Sequence, residues 1–423
     1  MRKVTLVRGA RQLLTLRGSS GPRRGAELGN LGLIQDGAVL VVDGLIHQVG
    51  PTRRIENLAL VRQADEIDAS GCVVMPGFVD SHTQLVGGPA RMLDFELGLA
   101  GASAEQIAEA GGGALAQARA IEDLSPHTLE ALARKAIEEA VRHGTTSLET
   151  RSGLGITAAG ETKILRVQAA LKKQLISPVS TFLSARFSPE FENPDSYLDW
   201  ICSHWLPLVS RRKLADFVEI RCETGSFALP QACRFLTCAR QLGFALKIET
   251  GLQPVPGAIR LAVELAAASV SHAIGATEQD ARLLAESPTI ATLLPGAVFF
   301  AGTEQYAPAR MLIDYGAAVA LASGYNPETR SSLNMQMMLA FACKSMHMTP
   351  AEVVTAATLN AACALGQASQ VGSLEAGKSA DLLIFNVSDY REISYHLGSN
   401  VMNRVIKNGV LIAERSEVKW PAL

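Results

Sequence analysis

Val73-Val74-Met75-Pro76-Gly77-Phe78-Val79-Asp80-Ser81-His82-Thr83-Gln84 is an apolar, β-branched run that ends on polar side chains. Read as a strand, it points His82 and Gln84 to the same side, because side chains alternate across a strand. A strand that aims His-x-polar into an interior is a common start for a metal site, since one backbone segment supplies two ligands. The second position here is a neutral amide.

Beyond Gln84 the texture alternates. Helical patterns over Leu129 to Arg142, Thr162 to Lys173, Gln231 to Leu242, Val255 to Ala268, Glu278 to Ala285 and Pro350 to Leu365 are separated by short apolar strands. The strands are expected at Thr146 to Glu149, Ser177 to Leu183, Phe217 to Ile220, Ala245 to Glu249, Ala268 to His272, Thr289 to Leu294 and Ala318 to Ala322. With Phe78 to Gln84 they predict a (β/α)8 TIM-like barrel rather than a doubly wound sheet. Chemistry in such barrels sits at the C-terminal strand ends. His82, Gln84, Glu149 to Arg151, Arg186, Glu223, Glu249, His272 and Ser323-Gly324 lie there.

Both ends of the chain are β-rich. The segment from Met1 to Arg8 reads as a strand, basic but without the long apolar stretch of a signal peptide. Asp43-Gly44 and Asn408-Gly409 are hairpin signals. Lone hairpins are marginally stable, so the ends are expected to form one small sheet domain from residues 1–75 and 365–423, around a barrel of residues 76–364.

Of 423 residues, 48% are hydrophobic, enough for a large buried core, and no stretch has the roughly 18 uninterrupted apolar residues of a membrane span. A net charge of −2 without a long basic run argues against a nucleic-acid surface. Seven cysteines without C-x-x-C, an odd count, fit reduced thiols in a cytoplasm, Cys222 among them. Gly111-Gly112-Gly113 lacks the spacing of a nucleotide cradle and reads as a loop.

Several motifs together resemble the amidohydrolase superfamily, and within it the imidazolonepropionases, over nearly the whole chain. They are Pro76 to Thr83, Arg91-Met92-Leu93-Asp94-Phe95-Glu96, Gly111-Gly112-Gly113, Gly144-Thr145-Thr146 and Ser152-Gly153-Leu154-Gly155. Thr181-Phe182-Leu183, Leu293 to Ala297, Asn326-Pro327 and Gly372 to Asp381 continue the series. The resemblance implies a zinc-bearing barrel with a β-sandwich from both termini, a homodimer, and hydrolytic opening of a five-membered cyclic amide.

The departures fall where that chemistry would be. Of the four implied zinc positions only His82 keeps its histidine; the others are Gln84, Glu249 and Gly324, the last in place of an expected Asp. An acidic residue implied two places after Glu249 is Gly251, and the active-site histidine that is not a primary ligand survives as His272. The implied substrate pocket comprises Arg91, Gly112, Gly113, Leu154 and Arg186. A neutral amide is a poor zinc ligand, and zinc hydrolysis needs a bound water with its pKa lowered to roughly 7 and a nearby base. The expected function is therefore that of a family member without a conventional zinc centre or any cofactor, binding a small anionic ligand through Arg91 and Arg186. The alternative is an active, divergent hydrolase of cyclic amides or other non-peptide C–N bonds, its zinc or other divalent metal held by His82, Glu249 and His272 and its catalysis carried by Glu249 and His272. An ion pair between Arg186 and Glu249, restoring charge lost with the metal, is expected in the first case.

Overall fold

The computed structural model describes residues 2–18 and 21–415. From the start of the chain come β1 (Val4–Leu14), β2 (Leu33–Val42), β3 (Leu45–Pro51), β4 (Asp65–Asp68) and β5 (Val73–Pro76). Then follow β6 (Phe78–Asp80), β7 (Thr145–Arg151), β8 (Val179–Ser184), β9 (Phe217–Arg221), β10 (Ala245–Glu249), β11 (Ser269–Ser271), β12 (Ile290–Leu293) and β13 (Val319–Leu321). The last three are β14 (Leu382–Phe385), β15 (Met402–Lys407) and β16 (Val410–Glu414). They form two sheets. One runs β16-β15-β14-β5-β1-β2-β3 with β4 beside β1, and the other runs β13 through β6 in reverse chain order. The second sheet is the expected barrel of eight parallel strands, and the first is the expected β unit built from both ends. Met1 and residues 416–423 of the predicted terminal segments lie outside the described residues.

The stretch from Val73 to Gln84 belongs to both sheets. β5 pairs with β1 and β14, whereas β6 pairs with β7. Gly77 is the joint: its N–H donates to the Asp381 carbonyl at 3.0 Å, and a Cβ there would overlap the Thr146 side chain. The strand ends at Asp80, so His82 and Gln84 stand past it on irregular backbone. Side-chain alternation is therefore not imposed by a strand at these two positions.

Along β9 and β10 the register sets Lys247 beside Glu219 and Glu249 beside Arg221. Between β13 and β6 the ring is completed beyond the strand ends. Ser323 N–H donates to Asp80 Oδ1 at 3.0 Å, and Gln84 N–H donates to the Tyr325 carbonyl at 2.8 Å. Outside the barrel, Phe182 packs edge-on against Trp205 with ring centroids 4.8 Å apart, part of a continuous apolar core.

Asp43-Gly44 and Asn408-Gly409 turn as the sequence predicts, all four residues having positive φ as a two-residue hairpin turn requires. Two predicted helices come out differently. Val255 to Ala268 shortens to Ala258–Glu264, because Pro256 precedes Gly257 at a φ of 89°. Pro350 to Leu365 divides into Pro350–Ala356 and Leu359–Ala364 at Thr358, which leaves helical geometry. Among the described residues no helix is long and apolar enough to cross a membrane, and the seven cysteines are free.

Candidate functional site

Three sequence-predicted residues meet at the C-terminal end of the barrel. His82, Glu249 and His272 are buried, and their donor atoms lie within 4.8 Å of one another. His82 comes from the segment after β6, Glu249 ends β10, and His272 follows β11. The chain turns sharply to deliver His272: His272 and Ala273 both have positive φ, 68° and 53°. Such backbone is strained for non-glycine residues and recurs at functional sites. The two imidazoles stand perpendicular with centroids 6.1 Å apart. His82 Nε2 and His272 Nδ1 are buried without a hydrogen-bond partner. Burial first, and then the charge of Arg151, hold the His82 pKa well below its ordinary value. Burial likewise lowers that of His272, with Glu249 opposing. Both rings are therefore neutral donors at physiological pH.

Glu249 is held by guanidinium groups. Arg151 Nη1 donates to Oε2 at 3.0 Å and, at the same distance, to Glu219 Oε2. Arg221 Nη2 reaches Oε1 at 3.1 Å and Oε2 at 3.3 Å, while His272 Nε2 lies 3.5 Å from Oε1. Burial alone would raise the carboxyl pKa of Glu249; Arg221 and Arg151 outweigh it and keep it well below the usual range. The expected partner Arg186 does not make this pair. It sits exposed on the loop after β8, facing Arg221, Glu328 and Glu223. Arg151 and Arg221 reach Glu249 because each ends a strand and alternates inward with a carboxylate, Glu149 or Glu219. That period-2 pattern of Glu-x-Arg was the signal in the sequence for Arg221, which composition alone passes over.

The remaining implied metal positions are Gln84 and Gly324. Gln84 Nε2 donates to the Ser152 carbonyl and Gln84 Oε1 accepts from Asn326 Nδ2, both at 2.8 Å, so both ends of its amide are engaged in joining loops. The Gln84 amide thus bridges the loops that carry Ser152 and Asn326. At Gly324 a Cβ would meet only ordinary contacts, but the φ of 68° strains any side chain there. At Gly251 a Cβ would overlap the carboxylate of Glu223. In number, His82, Glu249 and His272 suffice for a three-donor catalytic metal. In charge they do not fit one, because both carboxylate oxygens already lie against guanidinium groups and a dication would have to displace or outcompete them.

A cavity of about 280 Å³ opens over this cluster, walled by Arg221, Glu223, Glu249, Gly251, His272 and Arg330. Glu223, whose orientation the sequence leaves open, faces it. Arg330, which sequence reasoning missed, is on the loop after β13, and its Nε is buried without a partner. Arg91 is engaged elsewhere: it pairs with Asp94 at 3.0 Å and donates to the Gly111 carbonyl at 2.8 Å, while Gly113 N–H donates to Asp94 at 2.8 Å. Gly112 is close-packed on the same carboxylate, so Arg91, Gly112 and Gly113 form one locked loop unit. Leu154 is buried in an apolar cluster with Leu85 and Val86. Cys222 is buried, its thiol pushed up to about 11 by that burial, and stays a neutral packing residue.

Eight parallel strands with a histidine- and carboxylate-lined mouth, joined to a sheet drawn from both termini, define an amidohydrolase-type barrel. Residues 250–412 match the Amidohydrolase family. The chain is 39% identical over 422 residues to an imidazolonepropionase of Brevibacillus brevis, covering 97% of this chain and 98% of that protein. It is 36% identical over 416 residues to one of Alkaliphilus metalliredigens, covering 98% and 99%. A zinc-bound adenosine deaminase from Xanthomonas campestris shares the fold, with a TM-score of 0.68 at 19% identity, over 99% of this chain and 94% of that one. The chain belongs to the amidohydrolase family, among the imidazolonepropionases.

Proposed function

We propose that this chain binds a small anionic cyclic amide in the mouth cavity, with arginine rather than zinc supplying the positive charge of the site. The observation that carries this reading is the Glu249 carboxylate held between Arg151 and Arg221. The ligand class rests on the imidazolonepropionase relatives, whose name describes a five-membered ring bearing a propionate, and on Arg330, a guanidinium aimed into the cavity without an ion-pair partner among the described residues. Arg186, exposed at the rim, adds a further cation for the approach of an anion. The rim helix Met92–Leu99, with Met92, Leu93, Phe95 and Leu99 exposed, supports a homodimer as part of the same proposal.

A second reading, a rebuilt metal hydrolase, is favoured by the convergence of His82, Glu249 and His272. Metal analysis of protein purified after zinc or manganese supplementation separates the two, with His82→Ala and Glu249→Ala alongside. The first reading expects less than stoichiometric metal and no effect of either variant on what is present. Stoichiometric metal lost on both substitutions overturns it and directs attention to ring-opening of cyclic amides.

A further inference from the structure

Two carboxylates border the cavity, and they are not equivalent. Both oxygens of Glu249 are taken by guanidinium groups. Glu223 is different: its Oε1 accepts from the N–H groups of Leu252 at 2.8 Å and Gln253 at 3.0 Å. Its Oε2 lies 4.0 Å from Arg221 Nε, an ion-pair distance beyond hydrogen-bond range. The carboxylate reaches this place because residue 251 is glycine; any side chain there would occupy the same space. The loops after β9 and β10 are stitched together around it, Thr224 N–H donating to the Gln253 carbonyl at 3.0 Å. Arg330, which also lines the cavity, has its Nε buried without a hydrogen-bond partner, as does the neighbouring Arg221 Nε. The cavity thus holds a carboxylate oxygen without a hydrogen bond together with guanidinium donors that lack one. A buried guanidinium N–H such as Arg330 Nε is costly unless something pairs with it.

We propose that Glu223 is the specificity-determining residue of this cavity, its Oε2 accepting a ring N–H of the ligand while Arg330 receives the ligand's anionic group. The proposal rests on the ligand reading above and adds which ring atom is recognised, and by what. A molecule with an anionic tail but no ring N–H would satisfy Arg330 and leave Glu223 facing an apolar edge. A site built to hydrogen-bond an N–H rejects the analogue lacking it more strongly than an apolar pocket rejects an added methyl.

The test uses calorimetric titration of the full chain with hydantoin-5-propanoate and with its counterpart methylated on both ring nitrogens. Glu223→Gln is the informative variant. It keeps one carbonyl oxygen for the Leu252 and Gln253 N–H groups and replaces the open acceptor by a donor. Wild type is expected to favour the N–H probe by about tenfold or more, and E223Q to lose that preference while binding the methylated probe as before. Arg330→Ala should weaken both probes equally. Equal preference for the N–H probe in wild type and E223Q overturns the role of Glu223 while leaving the ligand reading intact. Failure of wild type to bind either probe overturns the ligand reading and this assignment with it. A melting temperature for E223Q matching wild type shows that the variant reports on recognition rather than on loop packing.

Discussion

Arg151 is fully buried, and so are Glu149, Glu219 and Glu249 around it, with Lys247 bonded to Glu149. Burial by itself would drive the guanidinium toward neutrality; Glu219, Glu249 and Glu149 outweigh it and hold its pKa above the ordinary value. Glu219 bears the converse cost and is pushed up to about 7, chiefly by burial with Arg151 opposing. Charges are retained in the barrel interior because each is paired; removal of one partner leaves the others uncompensated. Glu328 lacks such close pairing. Burial raises its carboxyl to about 7, with Arg186 offsetting only part of the effect. A folded-state value above the unfolded one means that the native chain holds this proton more tightly. The group's contribution is full below about pH 4.5 and is lost as pH rises through about 7. Glu328→Gln, which cannot titrate, should therefore gain stability relative to wild type across that interval. Urea midpoints at about pH 5 and about pH 8 check this, and parallel pH dependence of the two proteins would refute it.

At the scale of elements, the decisive joint is Gly77, where one run of chain leaves the terminal sheet and enters the barrel. Its backbone is pinned to Asp381, and Thr146 on β7 fills the space in front of it. Gly77→Ala is expected to cost about 1–3 kcal/mol through overpacking, with Thr146→Gly in the same chain recovering part of it. Chemical denaturation of the single and double variants measures both effects. A Gly77→Ala protein as stable as wild type would mean that the two sheets tolerate a wider joint. The left-handed pair His272-Ala273 is the corresponding device on β11, and it spends backbone strain to bring one ring beside Glu249.

For the whole molecule, the order of strands makes the two ends of the chain interdependent. β5 lies between β1 and β14, so residues from the start, the barrel junction and the end share one sheet. Deletion from Leu382 onward should strip β5 of a neighbour and expose the apolar side chains of Val73, Val74 and Phe78, which pack with the deleted strands. The truncated chain is expected to lack a cooperative thermal transition by circular dichroism. A well-folded truncated barrel with its own sharp transition would show that the barrel is independent of the terminal sheet.

Local signals were sufficient for the architecture. Alternating apolar strands and helical periods spelled out eight barrel strands, and Asp43-Gly44 and Asn408-Gly409 marked hairpins, because strand parity and turn geometry are properties of neighbouring residues. His82, Glu249 and His272 were legible in the same way, as polar residues at strand ends. The partners of Glu249 were not. Arg151 and Arg221 lie 98 and 28 residues from it, and only the inter-strand register brings them to it ahead of Arg186. The engagement of the Gln84 amide by Ser152 and Asn326, and the arrival of Glu223 in the space left by Gly251, were likewise settled in three dimensions. Short-range periodicity determined which elements form, whereas the assignment of charges to one another depended on distances that sequence separation does not encode.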